Sequence, residues 1–287
     1  MIKSILTCTD GSVYTDSVYD HAAWAATRSA ANVLVLHMLD PQRDKADLFD
    51  LSGNLLPNAR ADLLDDIVKL EEAKSRLARE RGKAILEVAR ERLQAAGVGL
   101  IKTEQQHGSL VEAVSHFEQA IQADLIVLGK RGEAANFDKL HLGSNLERVI
   151  RGSKRPVLVA SREYKPIQRF LIAYDGGPSI EKAITFATSQ PLLCDLECHL
   201  VRAGKIDDKA EWYLQEAAGK LRAAGFAVTA QAIGGTPETV IAEQVQARAI
   251  DLLVMGAYGH SRIRNMVIGS TTTEMMRSCL VPVLMFR

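Results

Sequence analysis

Residues 251–259 read DLLVMGAYG and residues 124–132 read DLIVLGKRG. In each, an aspartate precedes four apolar residues and a Gly-x-x-Gly. Four apolar residues ending at a glycine are too few for a helix. Being apolar on both faces, they suit a strand of a parallel sheet covered by helices on both sides. Outward from this pair the chain keeps matching itself in order. ILTCTD at 5–10 answers FLIAYD at 170–175, and VLVLHM at 33–38 answers DLECHLV at 195–201. Gly-Ser at 143–144 answers Gly-Ser at 269–270, and RPVLV at 155–159 answers VPVLM at 281–285. Repeats in one order mark a duplication, with halves at about 1–163 and 168–287 joined by a short polar linker at 162–168.

Within each half, apolar β-rich runs alternate with segments of helical period, the pattern of βαβ units. A helix over 16–29 puts Val18, Ala22, Ala25 and Ala26 on one stripe, and one over 237–249 aligns Val240, Ile241, Gln244, Val245 and Ala249. The first half carries an insertion at about 40–97. Residues 40–57 read as a loop. Residues 58–97 read as a charged helical segment with Leu63, Ile67, Leu70, Leu77, Ile85, Val88 and Leu93 as its buried stripe. One unbroken helix there would reach roughly 60 Å, too long for one face of a small domain, so a break is expected at Gly82. A solvated helix with one buried stripe is favoured over an arm for dimer contacts, because charges of both signs fill the other faces.

The 287 residues carry 35 Lys+Arg and 35 Asp+Glu, for a formal net charge of +0. No global field is available to hold nucleic acid or an anionic membrane, so neither is expected as a partner. At 47% hydrophobic and 24% charged the composition is that of a folded globular protein. No apolar run is long enough to span a bilayer and the first residues show no secretory pattern, so a cytoplasmic location is expected. Cys8, Cys194, Cys198 and Cys279 are then free thiols. Cys194, Cys198 and His199 do not make a zinc site, because 198 and 199 point to opposite faces of a strand; the cysteines read as core thiols.

The chemistry concentrates after two strands of each half. Gly256 and Gly259 are followed, after nine intervening residues, by Gly269, Ser270, Thr271 and Thr272. A glycine loop leading into a helix N-terminus lets backbone N–H groups and the helix dipole hold an anion, with hydroxyls adding donors. Met255 precedes that loop, and His260 lies inside it, where it could touch a phosphate or stand as a solvent-exposed loop residue. Asp175 and Gly176 end the second half's first strand, which should face the loop across one crevice at the sheet's switch point. Asp175 could accept a hydrogen bond from a ribose or base, or merely close an Asx turn. The first half repeats the set with Asp10, Gly129, Gly132, Gly143 and Ser144. His37 and His199 are read as matching strand-end residues beside the two crevices. No Walker loop, nucleophile elbow or paired carboxylate set is present, so no catalytic residue stands out.

These residues resemble the universal stress protein family, in its tandem two-domain form. Its signature of Gly, two residues, Gly, nine residues, then Gly with Ser or Thr is matched in full by Gly256, Gly259, Gly269 and Ser270. Asp10 and Asp175 match its acidic residue after the first strand. The resemblance covers both halves apart from 40–75. It implies an α/β fold of two tandem Rossmann-like (adenine nucleotide alpha hydrolase-like) domains, each an open five-stranded parallel sheet with helices on both faces. It further implies binding of an adenine nucleotide, ATP, with Mg as companion ion, in a stress-response protein built as an intramolecular pseudo-dimer and open to homodimer formation. The first half departs from the signature, with ten residues between Gly132 and Gly143, so the second half is expected to hold the better site. An interaction protein with a degenerate site, or a slow ATPase, are the alternatives.

Overall fold

The computed structural model describes residues 1–12, 14–39, 57–130, 144–257, 275 and 279–287. The first half contributes strands β1 (Ser4–Thr9), β2 (Asn32–Leu39), β3 (Ile101–His107), β4 (Leu125–Gly129) and β5 (Val157–Ala160), with helices α1 (Thr15–Ser29), α2 (Pro57–Ala95), α3 (Leu110–Ala120) and α4 (Ser144–Gly152). The second contributes β6 (Arg169–Ala173), β7 (Glu197–Ala203), β8 (Val228–Ile233), β9 (Leu252–Gly256) and β10 (Val283–Phe286), with α5 (Pro178–Ser189), α6 (Asp208–Ala223) and α7 (Pro237–Ala247). This is the α/β architecture that the alternating pattern requires.

The strand order is β3-β2-β1-β4-β5-β10-β9-β6-β7-β8. Pairing is parallel within each set of five and antiparallel only where β5 meets β10, with Leu284 opposite Leu158. The ten strands thus form one continuous sheet rather than two. Its faces bury two apolar clusters, one around Tyr19, Phe170 and Leu284 and the other around Leu6, Ile126 and Leu253. Central strands buried on both faces explain the unbroken apolar runs. The repeated aspartates pin strand starts. Asp124 Oδ2 accepts from Lys3 N at 2.8 Å and Ser4 N at 3.2 Å, and Asp251 Oδ2 from Gln168 N at 3.0 Å and Arg169 N at 2.9 Å.

Helix α1 buries Val18, Ala22, Ala25 and Ala26 as the stripe demands. Helix α7 ends at Ala247, two residues short of expectation; Val240 and Ile241 are buried, while Ala249 turns outward with φ 47°. Helix α2 differs more. It runs unbroken for 39 residues, about 58 Å, straight through Gly82. That glycine is a point of close approach: an added Cβ would stand 2.7 Å from His37 Cδ2 on β2 and would also meet the Gln105 amide on β3. Its buried line is Gly82, Leu86, Ala89 and Leu93. Leu63, Leu70, Leu77 and Val88, expected inside, are exposed. No helix among the described residues is long and apolar enough to cross a membrane.

Candidate functional site

In each half the first and fourth strands are neighbours while their connections leave in opposite directions, which opens a crevice at their C-terminal ends. Strand β6 pairs with β9 through Ile172 and Val254. Three residues beyond Ile172 is Asp175, and two beyond Val254 is Gly256, so the structure brings these two together at one edge. Asp175 Oδ1 accepts from Gly177 N at 2.8 Å, an Asx turn that places Gly176 at φ 74°. The left-handed conformation favours glycine there. Gly177 is extended and Pro178 opens α5, a residue with no N–H at a position that needs none. Met255 lies on β9 opposite Met285, its side chain buried in the core.

The first half repeats the turn. Asp10 Oδ1 accepts from Ser12 N at 3.0 Å with Gly11 at φ 72°, beside Gly129 at the end of β4. The two turns have different surroundings. An added Cβ on Gly11 would stand 2.6 Å from Ile85 Cδ1 of α2, whereas one on Gly176 would stand 3.5 Å from Arg202 Nη1. The long helix lays an apolar side chain over the first turn. In the second half α6 is 16 residues long and packs mainly on β8, and the group beside the turn is a guanidinium. Lys130, next to Gly129, directs its ammonium to the Cys279 carbonyl at 2.6 Å.

Arg202 is a residue that sequence reasoning missed. The register pairs Thr9 with His37 and Ala173 with Val201, so the residue matching His37 beside the second turn is Arg202. His199 pairs with Leu171 in the middle of β6 and lies away from the crevice; its matching to His37 is corrected by three residues. The cause is the turn over 194–196, which delays the start of β7 to Glu197. His199 Nε2 lies 3.0 Å from Glu197 Oε1, and Arg248 Nη1 3.3 Å from its Nδ1. Burial lowers its pKa, with Glu197 opposing and Arg248 assisting. Counting along β7 from Val201 would have found Arg202.

Tyr174 is buried beside the second turn, 3.9 Å from where a Cβ on Gly176 would stand. Its hydroxyl donates to Glu181 Oε1 at 3.1 Å, and Lys220 Nζ sits 3.4 Å from Glu181 Oε2. Burial, reinforced by Glu181, pushes the Tyr174 hydroxyl above its ordinary pKa. Cys8 and Cys198 are buried thiols raised to about 12 by desolvation; Cys194 is exposed, contrary to the core reading. Among the described residues no three His, Cys, Asp or Glu side chains converge on a metal position. Gly132, Gly143, Gly259, His260, Gly269, Ser270, Thr271 and Thr272 lie outside the described residues; Ser144 is the first residue of α4.

The model of the Universal stress protein family matches residues 1–161 and 200–287. Universal stress protein Slr1230 of Synechocystis is 39% identical over 289 residues, covering 100% of both chains. Universal stress protein MJ0577 of Methanocaldococcus jannaschii is 30% identical over 165 residues, 57% of this chain and 97% of its own. A universal stress protein from Archaeoglobus fulgidus superposes with a TM-score of 0.67 at 21% identity, covering 98% of this chain and 95% of that one. This is a likeness of fold.

Proposed function

Because the chain belongs to the universal stress protein family, we propose that it is a nucleotide-binding regulatory protein. It binds one ATP in the crevice of its second half, and its units are 1–163 and 168–287. The observation that carries this reading is the difference between the two crevices. Around Asp175, Gly176 and Gly256 the sheet edge offers an acceptor, a left-handed glycine turn and the Arg202 guanidinium. The matching turn at Asp10 and Gly11 is covered by Ile85. Asp175 would orient ribose or base. Arg202 supplies positive charge at the crevice mouth, and the stretch 256–271 carries the glycines and hydroxyls that suit phosphates. Magnesium fits here only as the companion of the phosphates, which supply most ligands to such an ion. The protein acts by binding rather than turnover. Ligand-dependent packing between the halves is the output.

Titration calorimetry with Mg-ATP tests this. Stoichiometry near one is expected. Asp175→Ala should weaken binding by about 1.5–3 kcal/mol, the range for hydrogen bonds involving a charged group, which is roughly tenfold to over a hundredfold. Asp10→Ala should leave the affinity unchanged, and Gly259→Val with Gly269→Val should abolish it. Loss of binding on Asp10→Ala with retention on Asp175→Ala would assign the site to the first half. Release of ADP on prolonged incubation would favour the ATPase reading.

A further inference from the structure

Among the described residues, helix α2 fully buries positions only in its second half, at Gly82, Leu86, Ala89 and Leu93. The helix runs antiparallel to the strands it covers: Arg90 reaches Thr103, while Gln105, two residues further along β3, reaches the Arg79 carbonyl. The helix N-terminal to Arg79 therefore runs on toward and past the C-terminal edge of the sheet, and no residue from 63 to 81 is buried. A soluble arm of this kind should be polar all round. This one is not. Leu63, Leu70, Leu77 and Ala84 recur every seven residues, and Ile67, Lys74, Arg81 and Val88 recur four residues after each. The alternating spacing of four and three is that of a coiled-coil seam. It lies about a third of a turn from the buried line, at 100° per residue. Leu63 is 39% exposed, Leu70 51%, Leu77 71% and Val88 52%.

We propose that this seam pairs with the same seam of a second copy, antiparallel, about a two-fold axis between Ser75 and Arg76. The charges select occupant and direction. Each copy places two cations, Lys74 and Arg81, in the seam and carboxylates on its flanks, among them Asp66, Glu71 and Glu80. A parallel pair would stack Lys74 on Lys74 and Arg81 on Arg81, like charges in one layer. The antiparallel pair sets Lys74 against Leu77, Arg81 against Leu70, Ile67 against Ala84 and Leu63 against Val88, so each seam residue from 63 to 88 meets a partner. Each cation then lays its stem on a leucine and carries its head to the other copy's acidic flank, Arg81 toward Asp66 and Glu71, and Lys74 toward Glu80. The ion pair of Lys74 with Glu71 at 3.3 Å within one helix is half-buried, with both side chains still more than a third exposed. Such pairs contribute little and can be exchanged.

Sedimentation velocity on the full chain reads the assembly, and disulfide crosslinking in a Cys194→Ala background reads the direction. A dimer is expected. Leu70→Glu with Leu77→Glu should raise its dissociation constant at least a hundredfold while leaving the melting temperature unchanged at concentrations where the wild type is monomeric, since both side chains are exposed in the single chain. Lys74→Cys chains mixed with Leu77→Cys chains should crosslink readily, and Leu77→Cys alone poorly. A monomeric wild type overturns the proposal, as does a dimer that survives the leucine substitutions. Efficient crosslinking by Leu77→Cys alone would overturn the antiparallel direction.

Discussion

Gly82 and Gly176 are glycines for opposite reasons, and substitution separates them. Gly176 is required by its own backbone, at φ 74°. Gly82 is helical, where alanine ordinarily stabilises by about 1 kcal/mol; its constraint is the neighbour, since a Cβ would stand 2.7 Å from His37 Cδ2. His37 cannot retreat without giving up its Nδ1 contact with the Thr9 carbonyl at 3.0 Å. Gly82→Ala should therefore lower stability by about 1–3 kcal/mol, the usual cost of overpacking. A shifted urea midpoint would show it, and a midpoint that rises would mean the helix simply slides outward. His21 makes a second residue-level case. It is fully buried, with Nδ1 donating to the Ser17 carbonyl at 2.6 Å and Nε2 lacking a hydrogen-bond partner among the described residues. Burial lowers its pKa; the Ser17 bond and Asp20 oppose the shift without reversing it. The unfolded chain therefore takes up the proton first, near the ordinary histidine pKa of about 6.5. Stability held above that pH is lost as pH falls below it, by at most about 1.4 kcal/mol per pH unit for one group. His199, lowered for the same first cause, adds to the slope. Thermal melts from pH 7.5 to 5 should show this fall, and His21→Gln should flatten it. An identical slope in the variant would mean that His21 takes up its proton equally well in the folded chain.

At the scale of elements, legibility followed burial. The strands buried on both faces, β1, β2, β4 and β5 with their counterparts, could be read directly because nothing but a two-sided sheet needs such runs. Strands β3 and β8 sit at the two ends of the sheet and show alternating half-buried and exposed positions. KTEQQ and VTAQA carry too little apolar signal to be told from loop by pattern alone. The stripe on α2 was misassigned for a related reason. Its heptad series is more regular than the line that packs on the body, and periodicity alone does not say which partner a stripe faces. Helix starts are where local chemistry can be tested without touching either core. Asp207 Oδ1 accepts from Ala210 N at 2.8 Å and so caps α6. Asp207→Ala should cost about 1 kcal/mol, read as a lower denaturant midpoint at unchanged slope. Asp207→Asn or Asp207→Ser should recover most of it. No loss in the alanine variant would mean that water replaces the cap.

At the scale of the whole molecule, the duplication was legible from the repeated Asp-Leu-x-Val runs. The joining of the halves into one sheet depends on β5 and β10, only four residues each, lying side by side. Burial on both sides of that joint makes it strong: Leu158 and Leu284 face each other with no exposed surface. Side chains cross the same boundary. Arg28 Nε donates to the Leu192 carbonyl at 2.7 Å and its Nη2 to the Cys194 carbonyl, and Lys130 Nζ reaches the Cys279 carbonyl. Losing one half would expose the apolar edge and face of the other, so the two should unfold together. Calorimetry can decide, because enthalpy scales with the length that melts as a unit. Near 60 °C a chain of this size should absorb about 200 kcal/mol, and one half about 100 kcal/mol, at about 0.7 kcal/mol per residue. A single transition whose van't Hoff enthalpy matches the calorimetric value of the whole chain is expected. Leu284→Asp, which places a charge in the middle of the joint, should split it into two transitions or lower its cooperativity before either half loses its own sheet. Two resolved transitions in the wild type, each with a van't Hoff enthalpy near that of one half, would mean that the joint only tethers two independently stable sheets.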